Sequence, residues 1–272
     1  MTEIQEIRSV ALEAARAAGV LSLQRFREPM MGESVRTKTS PTDLVSEADE
    51  RAEHAIVSRI TARRPRDTIV AEESANIRGS SEYTWYVDPL DGTINFLYGI
   101  AHWCVAICCA DADGALFAVV YDAIRDEEFV AERGRGADLF AQGPRDDPIR
   151  LAVSAKPDLA SALIGTGFAY VAENRRAQGR ILANVVGEVR DIRRAGSASL
   201  DLAWVAAGRL DGYFESVDKP WDWMAGALLV REAGGRVTEL TPSDPALPRI
   251  IASGPRMHDK LVALVARASA EL

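Results

Sequence analysis

The chain has 272 residues, of which 47% are apolar and 26% charged, and a formal net charge of −8. That length can bury a large core, as one domain or two lobes, and the composition is that of an ordinary globule. The negative charge argues against a general nucleic-acid binder, which needs a basic face, and suits a phosphate substrate only where cations intervene.

Ile4, Ile7, Val10, Ala11, Ala14, Ala15 and Ala18 recur at helical spacing and predict a helix over residues 4–28. The start, Met1-Thr2-Glu3-Ile4, is too polar and acidic for a signal peptide. No apolar run reaches the roughly 18 residues needed to span a membrane, so a cytoplasmic protein with no membrane partner is expected. The polar stretch 32–41 reads as a loop or hairpin. A second helix is expected from about Ser46 to Ala62, with Ser46 as its N-cap and Asp49 as the capping-box partner. Thr68-Ile69-Val70-Ala71 reads as a short strand ending at Glu72-Glu73-Ser74.

Thr84-Trp85-Tyr86-Val87 is aromatic and β-branched and reads as a buried strand. Asp88-Pro89-Leu90-Asp91-Gly92-Thr93 follows directly, so two carboxylates three residues apart stand at a strand end, where α/β sheets bind ligands. Pro89 biases Asp88 towards an extended conformation, and Gly92 permits a sharp turn. Thr93 can then open a helix whose free N–H groups face an anion. Carboxylates for a hard cation beside N–H groups for a phosphate point to metal-assisted phosphate chemistry.

Further along, apolar strands are expected near 103–110 and 115–122, joined by the turn Asp111-Ala112-Asp113-Gly114, with another strand at 130–132. Gly134-Arg135-Gly136 and residues 142–148 read as turn and loop. Short strands (162–166, 212–216, 235–239, 249–253) then alternate with helices (173–186, 198–207, 221–233, 257–270). This pattern indicates α/β or α+β layering. A lobe boundary is expected near residue 150. It separates an N-terminal lobe, 1–150, carrying most of the acids, from a C-terminal lobe, 151–272.

Cys104, Cys108 and Cys109 lie on one apolar stretch and read as reduced core residues. No second Cys/His pair has zinc-ligand spacing, and His is scarce. The acids beside apolar segments are Asp43, Glu72, Asp88, Asp91 and Asp222, the last within Trp221-Asp222-Trp223. Such oxygen donors suit Mg²⁺ or Mn²⁺. Glu73 and Asp49 read as surface charges or caps. Two divalent cations only neutralise Glu72, Asp88, Asp91 and Asp222, so a phosphate dianion needs further help from helix N-termini, a third cation or Lys38. Asp43 and Thr93 are the expected proton-accepting pair, Asp43 orienting Thr93 and Thr93 aligning a water.

Asp43-Leu44-Val45 with Asp49, Glu72-Glu73-Ser74, Asp88–Phe96, and Trp221-Asp222-Trp223-Met224-Ala225-Gly226 with Glu232-Ala233-Gly234-Gly235 occur in that order along the chain. Together they resemble the inositol monophosphatase-like, Mg²⁺-dependent, lithium-sensitive phosphatases over nearly the whole length. The resemblance implies a layered αβαβα sandwich, commonly a homodimer, acting on a small phosphorylated substrate. It implies that Glu72, Asp88 and the Leu90 carbonyl bind one metal, that Asp88, Asp91 and Asp222 bind a second, and that Glu72 supports a third. It places Gly92 and Thr93 on the phosphate, and Gly196, Ser197, Ala198 and Glu215 on the alcohol side with Asp91 and Asp222. Inositol 1-phosphate is the leading substrate. Histidinol phosphate, fructose 1,6-bisphosphate, a 3′-phosphoadenosine nucleotide or a non-catalytic regulatory role are the alternatives. Tyr98 and Ala101 depart from the family's usual His and Pro, leaving the alcohol open. Asp201 reads as the exposed face of a helix.

Overall fold

The computed structural model describes residues 2–28, 36–37, 44–45, 47–141 and 147–271. Helix α1 (Glu3–Phe26) is opened by a capping box between Thr2 and Gln5, satisfying two otherwise unpaired N–H groups. Strands β1 (Arg36–Thr37) and β2 (Leu44–Val45) pair antiparallel, in keeping with the hairpin reading, and helix α2 (Glu47–Arg63) follows. The N-cap expected at Ser46 lies outside the described residues.

Seven strands form the first sheet: β3 (Thr68–Ala71), β4 (Thr84–Asp91), β5 (Cys104–Asp111), β6 (Gly114–Asp122), β7 (Glu127–Glu132), β8 (Gly136–Ala141) and β9 (Ile149–Arg150), in that spatial order. Only β3 and β4 run parallel; the remaining neighbours are antiparallel. The short helix α3 (Thr93–Leu97) hangs from the end of β4. The second sheet has the order β11 (Asp191–Arg193), β10 (Leu163–Thr166), β12 (Gly212–Glu215), β14 (Ile250–Ser253), β13 (Arg236–Glu239). Around it stand α4 (Ala172–Val185), α5 (Ala198–Ala206), α6 (Pro220–Glu232) and α7 (His258–Ala270).

Strand periodicity sorts the side chains into layers. Trp85, Val105, Ile107, Cys109, Phe117 and Val119 point to one face of the first sheet, against Ile7, Val10, Ile56 and Ile60 of α1 and α2. Cys104, Ala106, Cys108, Ala118 and Val120 point to the other, against α5 and α6. The same α5–α6 layer meets Tyr213, Ile250 and Ala252 of the second sheet. Phe214 and Ile251 face outward to α4 and α7. The result is the αβαβα sandwich. The first sheet ends in sequence with β9 and the second begins with β10, and the α5–α6 layer packs against both in one core.

Two expectations need correction. Gly136, expected in the turn 134–136, instead opens strand β8, because it pairs with Glu132 of β7. Asp201 is 1% exposed. Helix α5 is wedged between two sheets and has no solvent face, so a polar residue in it must find a partner inside.

All three cysteines are free and buried. Burial pushes the Cys108 thiol up to about 12 and raises Cys104 and Cys109 as well. Since the thiolate is the reactive form, the native protein at neutral pH should leave all three thiols unmodified by a disulfide reagent. The unfolded chain should titrate all three, and a fast-reacting thiol in the native state would contradict this packing. Among the described residues no helix is long and apolar enough to cross a membrane.

Helices α5 and α6 approach closely at Gly226. A Cβ there would fall inside the contact distance of the Leu202 side chain. Gly226→Ala should therefore cost roughly 1–3 kcal/mol of stability through overpacking, read by denaturant unfolding. Wild-type stability would mean that the helices part freely.

Candidate active site

Strand β4 carries the two central acids. Asp88 is 2% exposed, and its Oδ1 accepts the Leu90 N–H at 3.0 Å, closing a small turn within the motif. The register between β4 and β5 slips between Asp88 and Asp91. A bulge of this kind re-aims side chains at a sheet margin, and here both carboxylates reach the same cleft. Gly92 then takes φ 102°, a left-handed conformation with a low cost only for glycine, and reverses the chain into α3.

The cleft has a volume of about 500 Å³. Glu72, just after β3, Asp88, Leu90, Asp91, Gly92 and Thr93 line it. Asp222 enters from the first turn of α6, which Pro220 opens. Gly196, Ala198, Arg194 and Glu215 line the cleft as well. Ser197 is buried just behind, with its hydroxyl donating to Asp91 Oδ2 at 2.7 Å. The residues expected to act together thus share one cleft, with Asp43 and Lys38 outside the described residues.

The Thr93 hydroxyl is 2.9 Å from Asp49 Oδ1 and 3.2 Å from the Leu90 carbonyl. Asp49 is 0% exposed. The expectation of a surface charge at Asp49 is therefore overturned: among the described residues the carboxylate set against Thr93 is Asp49, while Asp43, foreseen in that place, lies outside them.

Crowding by protein atoms, then repulsion from Glu72, Asp91 and Asp222, raises Asp88 well above the usual carboxylate range. Asp91 is pushed up to about 6, chiefly by burial, with the bonds from Ser197 and the Ser199 N–H opposing the shift. Asp222 is raised by burial and by Glu72. Burial lifts Glu215 to about 7, and its Oε2 accepts the buried Tyr213 hydroxyl at 2.6 Å. Buried like charges that raise one another mark a place built for positive charge. Among the described residues no three His, Cys, Asp or Glu side chains are gathered tightly enough to hold an ion as they stand. The donors are nonetheless hard oxygens in one cleft, chemically suited to Mg²⁺ without being closed around it.

Asn95, for which the sequence suggested no separate role, and Asp201, expected on a helix surface, both support the site from inside. Asn95 is buried, and its side-chain nitrogen donates to the carbonyls of His102 (2.7 Å) and Ala195 (2.8 Å), tying α3 to the loop before Gly196. Asp201 pairs with His102 Nε2 at 3.2 Å, and His102 packs edge-on against Trp204. Asn95 could have been suspected as a polar residue in an otherwise apolar turn. Asp201 had no such signal.

A family model described as the inositol monophosphatase family matches residues 3–270. The chain belongs to the inositol monophosphatase family. Within it, the chain is 43% identical over 252 residues to a Pseudomonas aeruginosa protein named Nus factor SuhB, covering 90% of each. It is 40% identical over 240 residues to a Mycobacterium bovis protein named inositol-1-monophosphatase, covering 86% of this chain and 82% of that one. The crystal structure of the extragenic suppressor protein suhB from Bartonella henselae superposes with a TM-score of 0.85 at 38% identity, covering 95% of this chain and 98% of that one. Family membership accounts for the sandwich and for the order of acidic motifs around it.

Proposed function

We propose that the protein hydrolyses a small phosphate monoester, inositol 1-phosphate before others, with two or three Mg²⁺ ions, or Mn²⁺ in their place. The observation that carries this reading is the convergence of Glu72, Asp88, Asp91 and Asp222, from three separate segments, on a cleft also lined by Gly92 and Thr93. Glu72, Asp88 and the Leu90 carbonyl would hold one ion, Asp88, Asp91 and Asp222 a second, with Glu72 supporting a third. Bound there, the metal supplies a water of lowered pKa and charge to stabilise the leaving alkoxide.

The chain's own groups do the rest. Asp49 fixes the Thr93 hydroxyl, and Thr93 aligns a water and accepts its proton within that pair. The N–H groups of Gly92 and Thr93 bind phosphoryl oxygens. Gly196, Ser197 and Ala198 form the wall for the alcohol, and Glu215, steadied by Tyr213, receives its hydroxyls. Glu215 suits a polyol or an amine, so histidinol phosphate, fructose 1,6-bisphosphate and 3′-phosphoadenosine 5′-phosphate are the competitors. The name of the Mycobacterium bovis relative supports inositol.

Phosphate release with Mg²⁺ from these four substrates tests the reading. A preference of about a hundredfold in kcat/KM, worth roughly 2.7 kcal/mol, fixes the alcohol. Lithium should inhibit the same reaction, and insensitivity would count against the metal assignment. Release from none of the four would overturn the reading. A homodimer in the cytoplasm accompanies it, checked by light scattering and fractionation.

The second reading is a binding role as a Nus factor, favoured by the name of the Pseudomonas aeruginosa relative. Complementation of a strain lacking a suhB gene separates the two. Rescue by wild type and by Asp91→Asn alike supports binding; rescue by wild type alone supports catalysis.

A further inference from the structure

We propose that Ser199 is a positioning residue that fixes the spacing between Asp91 and Asp222, and with it the affinity and selectivity of the cleft for Mg²⁺. The inference rests on the reading of the cleft as a divalent-cation site. Ser199 is 0% exposed, in the first turn of α5. Its backbone N–H donates to Asp91 Oδ2 at 2.7 Å. Its hydroxyl donates to the backbone carbonyl of Asp222 at 2.8 Å. One residue thereby contacts both acids, one at the end of β4 and one in α6.

A serine hydroxyl in a helix ordinarily bonds back to a carbonyl of its own preceding turn. This one reaches across to another helix instead. The crossing is short because α5 and α6 are in close contact where Leu202 meets Gly226. Ser197 adds its hydroxyl to the same Asp91 oxygen, so two donors from the start of α5 converge on Asp91 Oδ2. The Asp222 N–H bonds to the Lys219 carbonyl in its own turn. The hydroxyl of Ser199 is therefore the tie that links this turn to the Asp91 side.

Mg²⁺ demands near-ideal octahedral geometry at about 2.0–2.1 Å, whereas Ca²⁺ accepts looser shells at about 2.3–2.6 Å. A tether that sets the distance between two carboxylates should thus matter more for Mg²⁺ than for Ca²⁺. Partners that orient ligands typically contribute about 10–100-fold in metal affinity.

The test is calorimetric titration of the metal-free full-length protein with Mg²⁺ and with Ca²⁺. Ser199→Ala should bind Mg²⁺ about tenfold more weakly while Ca²⁺ affinity changes less, so that discrimination between the ions narrows. Ser199→Cys, close in size but a weak donor, should behave alike and covers the case in which the alanine variant fails to fold. Ser253→Ala is the control: Ser253 is equally buried, and its hydroxyl bonds to the His258 ring and the Gly254 carbonyl. It should lower the melting temperature without altering either affinity. Unchanged Mg²⁺ affinity in folded Ser199 variants overturns the inference alone. A wild-type protein that binds no Mg²⁺ overturns the metal-site reading and this inference together.

Discussion

Asp91→Asn should abolish turnover, with a fall of roughly a thousandfold or more, as befits the loss of a charge that holds a catalytic metal. The fold should survive. The asparagine oxygen can still accept the Ser197 hydroxyl and the Ser199 N–H, both at 2.7 Å, so no buried donor is orphaned. The substitution also removes one of several like charges that raise one another in the cleft. The melting temperature of the metal-free variant is therefore expected to equal or exceed that of wild type. Circular dichroism, thermal melts and phosphate release on one preparation check all of this. A variant that unfolds would show that Asp91 is a structural acid whose charge the Ser197–Ser199 turn requires.

Thr93→Ala should lower kcat by roughly 10²–10⁴-fold, the range for a positioned proton acceptor, while Mg²⁺ affinity stays within a few-fold of wild type. Thr93 contributes its hydroxyl to Asp49 and to the Leu90 carbonyl rather than to the carboxylates of the cleft. Asp49→Asn should reproduce the effect in weaker form, because the amide still touches Thr93 but cannot take up a proton. Stability should fall by about 1–3 kcal/mol in Thr93→Ala, since a buried acceptor at Asp49 loses a partner. Equal losses in kcat and in metal binding would remove Thr93 from proton transfer.

Much of this was legible in the chain. The run into Asp88, the turn at Gly92 and the helix from Thr93 follow from β-propensity, glycine's access to positive φ and N-terminal helix signals. The structure puts each where these rules do, apart from the bulge that carries Asp91 into the strand. The apolar strands β5 and β6 with their Asp111–Gly114 turn were equally plain. Strand β8 was not, because Gly136-Ala137-Asp138 carries no strand pattern of its own and borrows its conformation from β7.

The acids divide in the same way. Asp88, Asp91 and Asp222 announced themselves by local chemistry: a proline, a glycine or flanking tryptophans. Asp49, Asp201 and Ser199 did not, because their environment comes from residues far along the chain. Thr93 lies 44 positions beyond Asp49, and His102 lies 99 before Asp201. The sequence by itself determined the layered fold, the family and four carboxylates that line the cleft, Glu72, Asp88, Asp91 and Asp222, since hydrophobic period and short motifs are local properties. Only the tertiary structure decided which carboxylate holds Thr93 and which helix has no solvent face. Both depend on the stacking of α2 over the end of β4 and of α5 between two sheets, where burial turns an ordinary polar residue into one that must be paired.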